Sequence, residues 1–459
     1  MRGAKLALVI FLALTLTGSP RLLAEGEQAA APARAKTIQL PFQEFTLKNG
    51  LRVILSEDHN APTVSVAVLY DVGSRDERPG RTGFAHLFEH MMFQGSANVG
   101  RREHTNLIEI NGGGANGTTD NDRTAYYETL PANQMDLVLF LEADRMRGLN
   151  LTEAALKVQR NAVQEERRLR IDDQPYGPAF LAIDELAYEN FAYKHSVIGS
   201  MDDLNAARME DFREFFRVYY APNNAVLSMV GDFKTADALA KVRKYFESIP
   251  SQPAPPRPNL TEPPSTKEKR LAMEDAFARS PRLFITYKVS PGNHADWAPL
   301  DIAGDVLVRG QSSRLFQKLV REKQVALNVF GGPDQRVGQS LFTFDVTLRP
   351  GVKHEDVEKL IYEEITRLQQ EPPTAAELAK IAMQNRRTRA LGMYSSLGRA
   401  IQLAEAAVRF KDPALVNKRP EQYAAVTPAD VQRVAKQYWQ ENNRSVITVS
   451  VKQQAGGAQ

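Results

Sequence analysis

Apolar and polar residues alternate in two segments, one in each half of the chain, at 63–69 and at 282–289. Alternation with a period of two is typical of a β-strand with one buried face. Each segment is followed by a helical pattern and, further on, by a long charged helix, at 153–170 and at 374–389. Strands and helices that mix without regular βαβ spacing predict the α+β class.

The ends of the two halves share residues at a constant spacing. Tyr219 matches Tyr438, and the Asn-Asn pair at 223–224 matches the pair at 442–443, at one offset of 219 positions. In both places an amphipathic helix leads through the Asn-Asn turn into an apolar strand. The shared offset indicates that the halves are repeats of one another.

A proline-rich stretch at 251–267 separates the halves. Its sequence, SQPAPPRPNLTEPPSTK, cannot continue a helix or a central strand, so it predicts an extended linker. We therefore predict a first domain at 37–250 and a homologous second domain at 268–452. Each is expected to contain a mostly antiparallel sheet with helices packed on one face.

Composition narrows the possible functions. Of the 459 residues, 43% are hydrophobic and 25% are charged, as is typical of a globular protein. The net charge is only +3, and no basic run alternates with aromatic residues, so nothing indicates a nucleic-acid partner. The chain has no cysteine, which excludes disulfides and thiolate zinc ligands.

The N-terminal residues predict export. Residues 1–5 are positively charged, and the apolar run at 6–16 is shorter than the roughly 20 residues that cross a bilayer as a helix. This pattern is typical of a secretory signal peptide, which we place at 1–24, and the alternative is an uncleaved anchor. No later segment predicts a membrane span, so we expect a secreted protein, in a bacterium a periplasmic one.

The segment GFAHLFEHMM at 83–92 is the strongest candidate for chemistry. On a helix, His86 and His90 lie on one face and Glu89 lies beside them. Two imidazoles can thus bind one ion. A catalytic zinc takes three nitrogen or oxygen ligands and keeps an open position for water, so a third ligand must come from elsewhere. Glu89 is the predicted general base that takes a proton from this water.

A second helix offers the third ligand. The segment VQRNAVQEERR at 158–168 carries two adjacent carboxylates, Glu165 and Glu166. Consecutive helical residues point about 100° apart, so only one of the two can face the metal. The position alone leaves both open. The remaining histidines stand alone and are expected at surface or capping positions: His59, His104, His195, His294 and His354.

These motifs resemble the pitrilysin, insulinase and mitochondrial processing peptidase family of inverzincins, in which a glutamate follows H-x-x-E-H downstream. The segments at 112–131, 219–233 and 312–327 are similar to further landmarks of that family. The resemblance implies a zinc endopeptidase with one Zn²⁺ per chain. It also implies that a peptide or an unfolded segment binds as an added strand and is cleaved at an internal bond.

The resemblance also implies roles for single residues. Because the family's downstream ligand stands in an acidic-Arg-Arg context, it corresponds to Glu166. The substrate-facing asparagine corresponds to Asn116, which is followed by Gly117 where the family usually has alanine. Several members carry a second glutamate seven residues before the ligand, and Gln159 stands there in this chain.

One departure from the family pattern concerns the residues that complete the active site. Some members complete the active site with their own second domain. These members carry an arginine and, seven residues later, a tyrosine that binds the substrate. Here Arg321 is present as a substrate-binding candidate, but Asn328 replaces the tyrosine. The second half also lacks the metal motif, since Asp305 and Arg309 stand at the offset of 219 from the two histidines.

By analogy with the family, these differences predict the catalytic subunit of a two-chain, clam-shaped peptidase with a homologous, metal-free partner subunit. The alternative assembly is a homodimer in which another residue replaces the tyrosine. The alternative function is a non-catalytic binding or assembly subunit of the same fold.

Overall fold

Two β-sheets, one in each half of the chain, organise the structure, a computed structural model that describes residues 38–452. The predicted signal peptide at 1–24 lies outside these residues. The first sheet contains β1 (Gln43–Thr46), β2 (Arg52–Glu57), β3 (Thr63–Tyr70), β4 (Gly114–Thr119), β5 (Thr124–Pro131) and β6 (Ala225–Gly231). The second contains β7 (Lys269–Asp275), β8 (Arg282–Pro291), β9 (Ala326–Asp334), β10 (Gln339–Leu348) and β11 (Arg444–Val451).

Helices surround both sheets. The first half contributes α1 (Phe84–Met91), α2 (Glu103–Ile110), α3 (Met135–Arg147), α4 (Glu153–Arg167), α5 (Gly177–Ala187), α6 (Phe191–Lys194), α7 (Met201–Ala206), α8 (Met209–Tyr219) and α9 (Thr235–Phe246). The second contributes α10 (Trp297–Val308), α11 (His354–Gln370), α12 (Ala375–Gly392), α13 (Ser396–Phe410), α14 (Leu415–Ala424) and α15 (Pro428–Tyr438). Within residues 38–452, none of the helices combines the length and the apolar composition that crossing a bilayer requires.

The two sheets have the same strand order. The order β2-β6-β3-β5-β4 in the first sheet repeats as β7-β11-β8-β10-β9 in the second, and β1 adds one edge strand to the first. In each sheet one pair is parallel, β2 with β6 and β7 with β11, and the other pairs are antiparallel. The predicted α+β class with two mostly antiparallel sheets is therefore confirmed.

The Asn-Asn turns have the same role in both halves. The side-chain amide of Asn224 donates to the carbonyl oxygen of Tyr219 at 2.8 Å, and that of Asn443 donates to Tyr438 at 2.7 Å. Each bond closes a helix end and starts the strand that follows it, β6 or β11. The repeat seen in the sequence thus corresponds to a repeated contact.

Each sheet also has a helix from the other half on its second face. Helix α13 packs on β3 and β6, where its small residues Ala404 and Ala407 lie in one buried cluster with Ala67 and Leu69. Helix α5 packs in the same way on β7, β8 and β11 of the second sheet. Strand β3 is therefore buried on both faces, which corrects the expectation of one buried face that its alternation suggested; Ala67 and Leu69 lie on the second face, under α13.

The proline-rich linker has no regular helix or strand, but it is fixed to both halves. The carboxylate of Glu262 forms a buried ion pair with Lys288, at 2.5 Å. The same carboxylate accepts hydrogen bonds from the backbone N–H groups of Glu189 and Asn190, at 2.8 and 2.9 Å. A buried carboxylate needs such partners, so this contact holds the linker in place. The residue bounds of the two domains stay a prediction.

Candidate metal centre

The two histidines of the motif lie on α1, as predicted. The side chains of Leu87 and Phe88 are buried in the core of the first sheet, so they fix the rotation of the helix. Helix α1 begins after Gly83, which has a φ of 79°. A Cβ atom at this position would lie 2.4 Å from the carbonyl oxygen of Ile198, so only glycine fits at the start of the helix.

A carboxylate from outside the helix caps the first turn of α1. The N–H groups of Gly83 and Ala85 donate to the two oxygens of Glu77 at 3.0 and 2.7 Å. A negative charge here also stabilises the positive end of the helix dipole. Glu77 is buried and pairs with His195, whose Nε2 lies 2.9 Å from Oε2 of Glu77. The expectation that His195 stands alone is therefore wrong, because it supports this cap.

The structure brings His86, His90 and Glu166 together. Each offers one ligand atom, and these atoms all lie within 4.8 Å of one another. Oε2 of Glu166 lies 3.8 Å from Nε2 of His86 and 3.4 Å from Nε2 of His90. The imidazole planes are nearly perpendicular, at 84°. Two nitrogens and one carboxylate that converge in this way fit the ligand set of a catalytic zinc.

Helix α4 turns only one of its two adjacent carboxylates toward the histidines. The side chain of Glu165 is 56% exposed and pairs with Arg168 at 3.0 Å. Glu166, by contrast, directs one oxygen toward the histidines, and its Oε1 lies 2.7 Å from Arg170. Of the two candidates that the residue pattern left open, Glu166 is the one near the histidines.

The other ring nitrogens of the histidines have different surroundings. Nδ1 of His90 lies 3.3 Å from Oε1 of Gln159, so the amide at this position contacts a candidate ligand. Nδ1 of His86 is buried and has no hydrogen-bond partner within residues 38–452. A partner on the second nitrogen fixes the orientation of a metal-binding imidazole, and Gln159 can do this for His90.

Two of the three candidate ligands have charge states that suit a cation site, whereas the pKa of His90, which burial alone would lower, is raised by the hydrogen bond with Glu166 and by the charge of Glu89. Burial and the neighbouring His90 lower the pKa of His86 to about 4, so this imidazole is neutral near pH 7. A neutral imidazole is the form that binds a metal. The hydrogen bond with His90 lowers the pKa of Glu166, which therefore remains a carboxylate.

Glu89 lies on α1 between the two histidines and is 8% exposed. The hydroxyl of Thr119, on β4, donates a hydrogen bond of 2.6 Å to its Oε2. Burial raises the pKa of Glu89 above its ordinary value, which makes it a stronger base than an exposed glutamate. The sequence did not single out Thr119, although strand alternation could have placed it on the face toward α1.

The two predicted substrate-binding residues lie in different halves of the chain. Asn116 lies on β4, next to Gly117, and its side-chain oxygen accepts a hydrogen bond from the N–H of Gly117 at 2.8 Å. Arg321 lies in a π-helical segment, Phe316–Glu322, with its guanidinium 5.8 Å from the ring centre of Phe316. No hydrogen bond or ion pair within residues 38–452 joins Arg321 to the three metal-binding candidates, so its role stays a prediction.

The second half has an ion pair where the first has its candidate ligands. At the offset of 219, the histidines and the glutamate are replaced by Asp305, Arg309 and Asn385. Nη1 of Arg309 lies 2.7 Å from Oδ2 of Asp305 and also donates to the side-chain oxygen of Asn385. The guanidinium thus provides a fixed positive charge among the three corresponding positions.

A second group of possible ligands, around His104, is buried in the first half. His104 lies 3.4 Å from Glu128 and 3.9 Å from Glu142, which overturns the expectation that it is a surface or capping residue. Arg145 lies 2.9 Å from Glu128 and also pairs with Glu142. The guanidinium balances the charge of one carboxylate, and burial raises the pKa of Glu142 well above its ordinary value, so the cluster forms a buried ion-pair network without needing a metal cation.

Two family models match the chain. The model described as "Insulinase (Peptidase family M16)" matches residues 52–200, and the one described as "Peptidase M16 inactive domain" matches residues 207–385. The first range contains the H-x-x-E-H segment and Glu166. The second range contains Asp305 and Arg309.

Individual proteins of this family are also similar to the chain over most of its length. "Zinc protease PqqE" from Helicobacter pylori is 30% identical over 420 residues, which cover 91% of this chain and 94% of that protein. The crystal structure of a protease from Helicobacter pylori has a TM-score of 0.86 and 30% identity, over 90% of this chain and 100% of that one. A peptidase M16 inactive domain from Pseudomonas fluorescens shares the fold, with a TM-score of 0.80 at 18% identity over 90% of this chain and 98% of that one.

Proposed function

The chain belongs to the insulinase family of peptidases, family M16, as its motifs predicted, and on this premise we propose that it is a zinc-dependent endopeptidase. Its substrates would be peptides or unfolded polypeptide segments. The observation that carries the proposal is the convergence of His86, His90 and Glu166, with Glu89 on the same helix as the two histidines. A scaffold subunit has no need for all four side chains.

The proposed roles follow from the positions of these residues. His86, His90 and Glu166 hold one zinc ion per chain, which when bound would polarise the scissile carbonyl and make water more acidic. Glu89 takes the proton from the attacking water, and its burial suits it to this task because burial raises its pKa. Gln159 orients His90 through its Nδ1.

The free edge of the first sheet is the proposed substrate site. Strand β4 is the last strand of the sheet and pairs only with β5 within residues 38–452. An extended peptide can add to such an edge through main-chain hydrogen bonds. The N–H of Gly117 on this strand is bonded to the side chain of Asn116. Asn116 therefore covers a main-chain donor in the free protein and can release it to a substrate.

The proposed assembly is a heterodimer with a homologous, metal-free subunit. It rests on Asn328, which stands seven residues after Arg321. Members of the family that complete the site with their own second domain have a tyrosine at this position. Size-exclusion chromatography with light scattering, combined with activity assays, tests the assembly. Full peptidase activity from a pure homomer would exclude an obligatory partner and favour the homodimer.

We also propose export to the periplasm, on the strength of the residues at 1–24. Cell fractionation and N-terminal sequencing of the mature protein test this. Recovery of the intact N-terminus from the cytoplasmic fraction would contradict it.

The central experiment measures cleavage of a peptide library by the purified protein together with its partner subunit, before and after treatment with a chelator. We expect cleavage at internal bonds, loss of activity on chelation and recovery with zinc. A protein that binds zinc but cleaves no peptide, with or without its partner, would favour the non-catalytic binding or assembly subunit.

A further inference from the structure

The two oxygens of Glu89 have different surroundings. Oε2 accepts the hydrogen bond of 2.6 Å from the hydroxyl of Thr119. Oε1 receives no hydrogen bond from any residue in the described range 38–452. The carboxylate is thus held at one oxygen and free at the other.

Gly117 determines the space around the free oxygen. A Cβ atom at this position would lie 3.1 Å from Oε1 and 3.2 Å from Cγ of Glu89. This is a few tenths of an ångström closer than an ordinary van der Waals contact, so a methyl group fits only if the carboxylate shifts slightly, and a larger side chain would displace Oε1 further. Gly117 and Thr119 are two residues apart on β4, and strand alternation places both on the face toward α1.

We infer that Thr119 and Gly117 are positioning residues for the proposed general base. Thr119 holds Oε2 of Glu89, and Gly117 leaves Oε1 uncovered, so that Oε1 is the atom that takes the proton. The inference rests on the proposed function. Its physical basis is that a base reacts efficiently only when its accepting atom is held in a productive orientation. An unanchored glutamate side chain has several rotamers to lose.

The first experiment compares Thr119→Val, which keeps the shape of the side chain but removes the hydroxyl, with Thr119→Ser, which keeps the hydroxyl. The holoenzyme with Thr119→Val should lose roughly tenfold in kcat, the effect of one hydrogen bond to a charged group, with KM and zinc content unchanged. Thr119→Ser should recover most of the loss. The matched control is Thr124→Val, which removes the hydroxyl directly across the β4–β5 ladder. That hydroxyl donates to the carbonyl of Val72, so the control should alter stability and not kcat.

The second experiment needs no activity. In crystal structures of the metal-free variants, the Glu89 carboxylate should leave its position or occupy several rotamers with Thr119→Val and stay in place with Thr119→Ser. Gly117→Val should displace the carboxylate and lower kcat more than Gly117→Ala, because the larger side chain reaches further over Oε1.

The inference is overturned if Thr119→Val leaves kcat within twofold of the wild type, changes only KM, or leaves Glu89 unmoved. If the wild type with zinc cleaves no peptide at all, with or without its partner subunit, the proposed function fails. The crystallographic comparison then still decides whether Thr119 positions Glu89.

Discussion

Oε2 of Glu166 lies 3.4 Å from Nε2 of His90, although the two residues belong to different helices, α4 and α1. The adjacent Glu165 points away from the histidines and pairs with Arg168. The rotation of α4 therefore decides which of two neighbouring carboxylates can share a cation with the histidines.

This relationship predicts opposite results for two neighbouring substitutions. Glu166→Gln should weaken zinc binding by more than about 100-fold, since even residues that only contact a ligand change metal affinity by 10- to 100-fold. Glu165→Gln should leave the affinity within a few-fold of the wild type. Competition with a chromogenic chelator measures both. The reverse order would exchange the two assignments.

Glu89→Gln should separate metal binding from turnover. The substitution removes the proposed base without removing a ligand, so zinc content should stay at one ion per chain while kcat falls by at least about 100-fold. Metal analysis and peptide cleavage measure the two effects. Glu109→Gln, an exposed glutamate on α2, is the matched control. A variant that keeps its turnover would contradict the role of Glu89.

Gln159 is expected to support zinc binding through His90. Gln159→Ala removes the contact with Nδ1 of His90 and should lower zinc affinity by about tenfold. Gln159→Glu supplies a charged acceptor and should preserve or raise the affinity. The control is Gln164→Ala, on the same helix as Gln159, which removes only a surface contact with Asn205 of α7. Equal affinities for all three variants would show that His90 needs no support.

The pair formed by Glu77 and His195 predicts a pH-dependent stability. Burial disfavours the charged form of His195, but the hydrogen bond and the charge of Glu77 outweigh burial and raise its pKa above the ordinary 6.5. The folded protein therefore binds this proton more tightly than the unfolded chain. The stabilisation is complete below about pH 6.5 and is lost as the pH rises through the folded pKa.

Accordingly, His195→Gln should lower the free energy of unfolding by about 1–2 kcal/mol at pH 6 and by less at pH 9. Urea unfolding at the two pH values measures the difference. His59→Gln is the control, because His59 is exposed and its ion pairs should contribute little. An equal loss at both pH values would refute the pH dependence.

Several features were readable from the sequence because they depend on local spacing. The histidines at i and i+4 share a helix face wherever the helix packs. The constant offset of 219 predicts a repeat, and the strand order of the first sheet is repeated in the second. The choice of Glu166 over Glu165 needed more than spacing, since the helix rotation is set by packing against α1.

Other features were not readable because they join distant parts of the chain. The pattern of α13 is that of an amphipathic helix and α5 is largely apolar, but neither pattern indicates which sheet the helix covers. Likewise, nothing in the neighbourhood of Thr119 or His195 indicates its partner, because Glu89 and Glu77 approach only after the chain has folded.

Arg309 stands in the second half at the position that corresponds to His90, and its charge has a consequence for folding. Because the positive charge of Arg309 belongs to the polypeptide, no chelator can withdraw it and no competing ion can replace it. The second half therefore needs no metal to balance the charges at these positions as it folds, whereas a shortage of zinc would alter the charge of the proposed site in the first half.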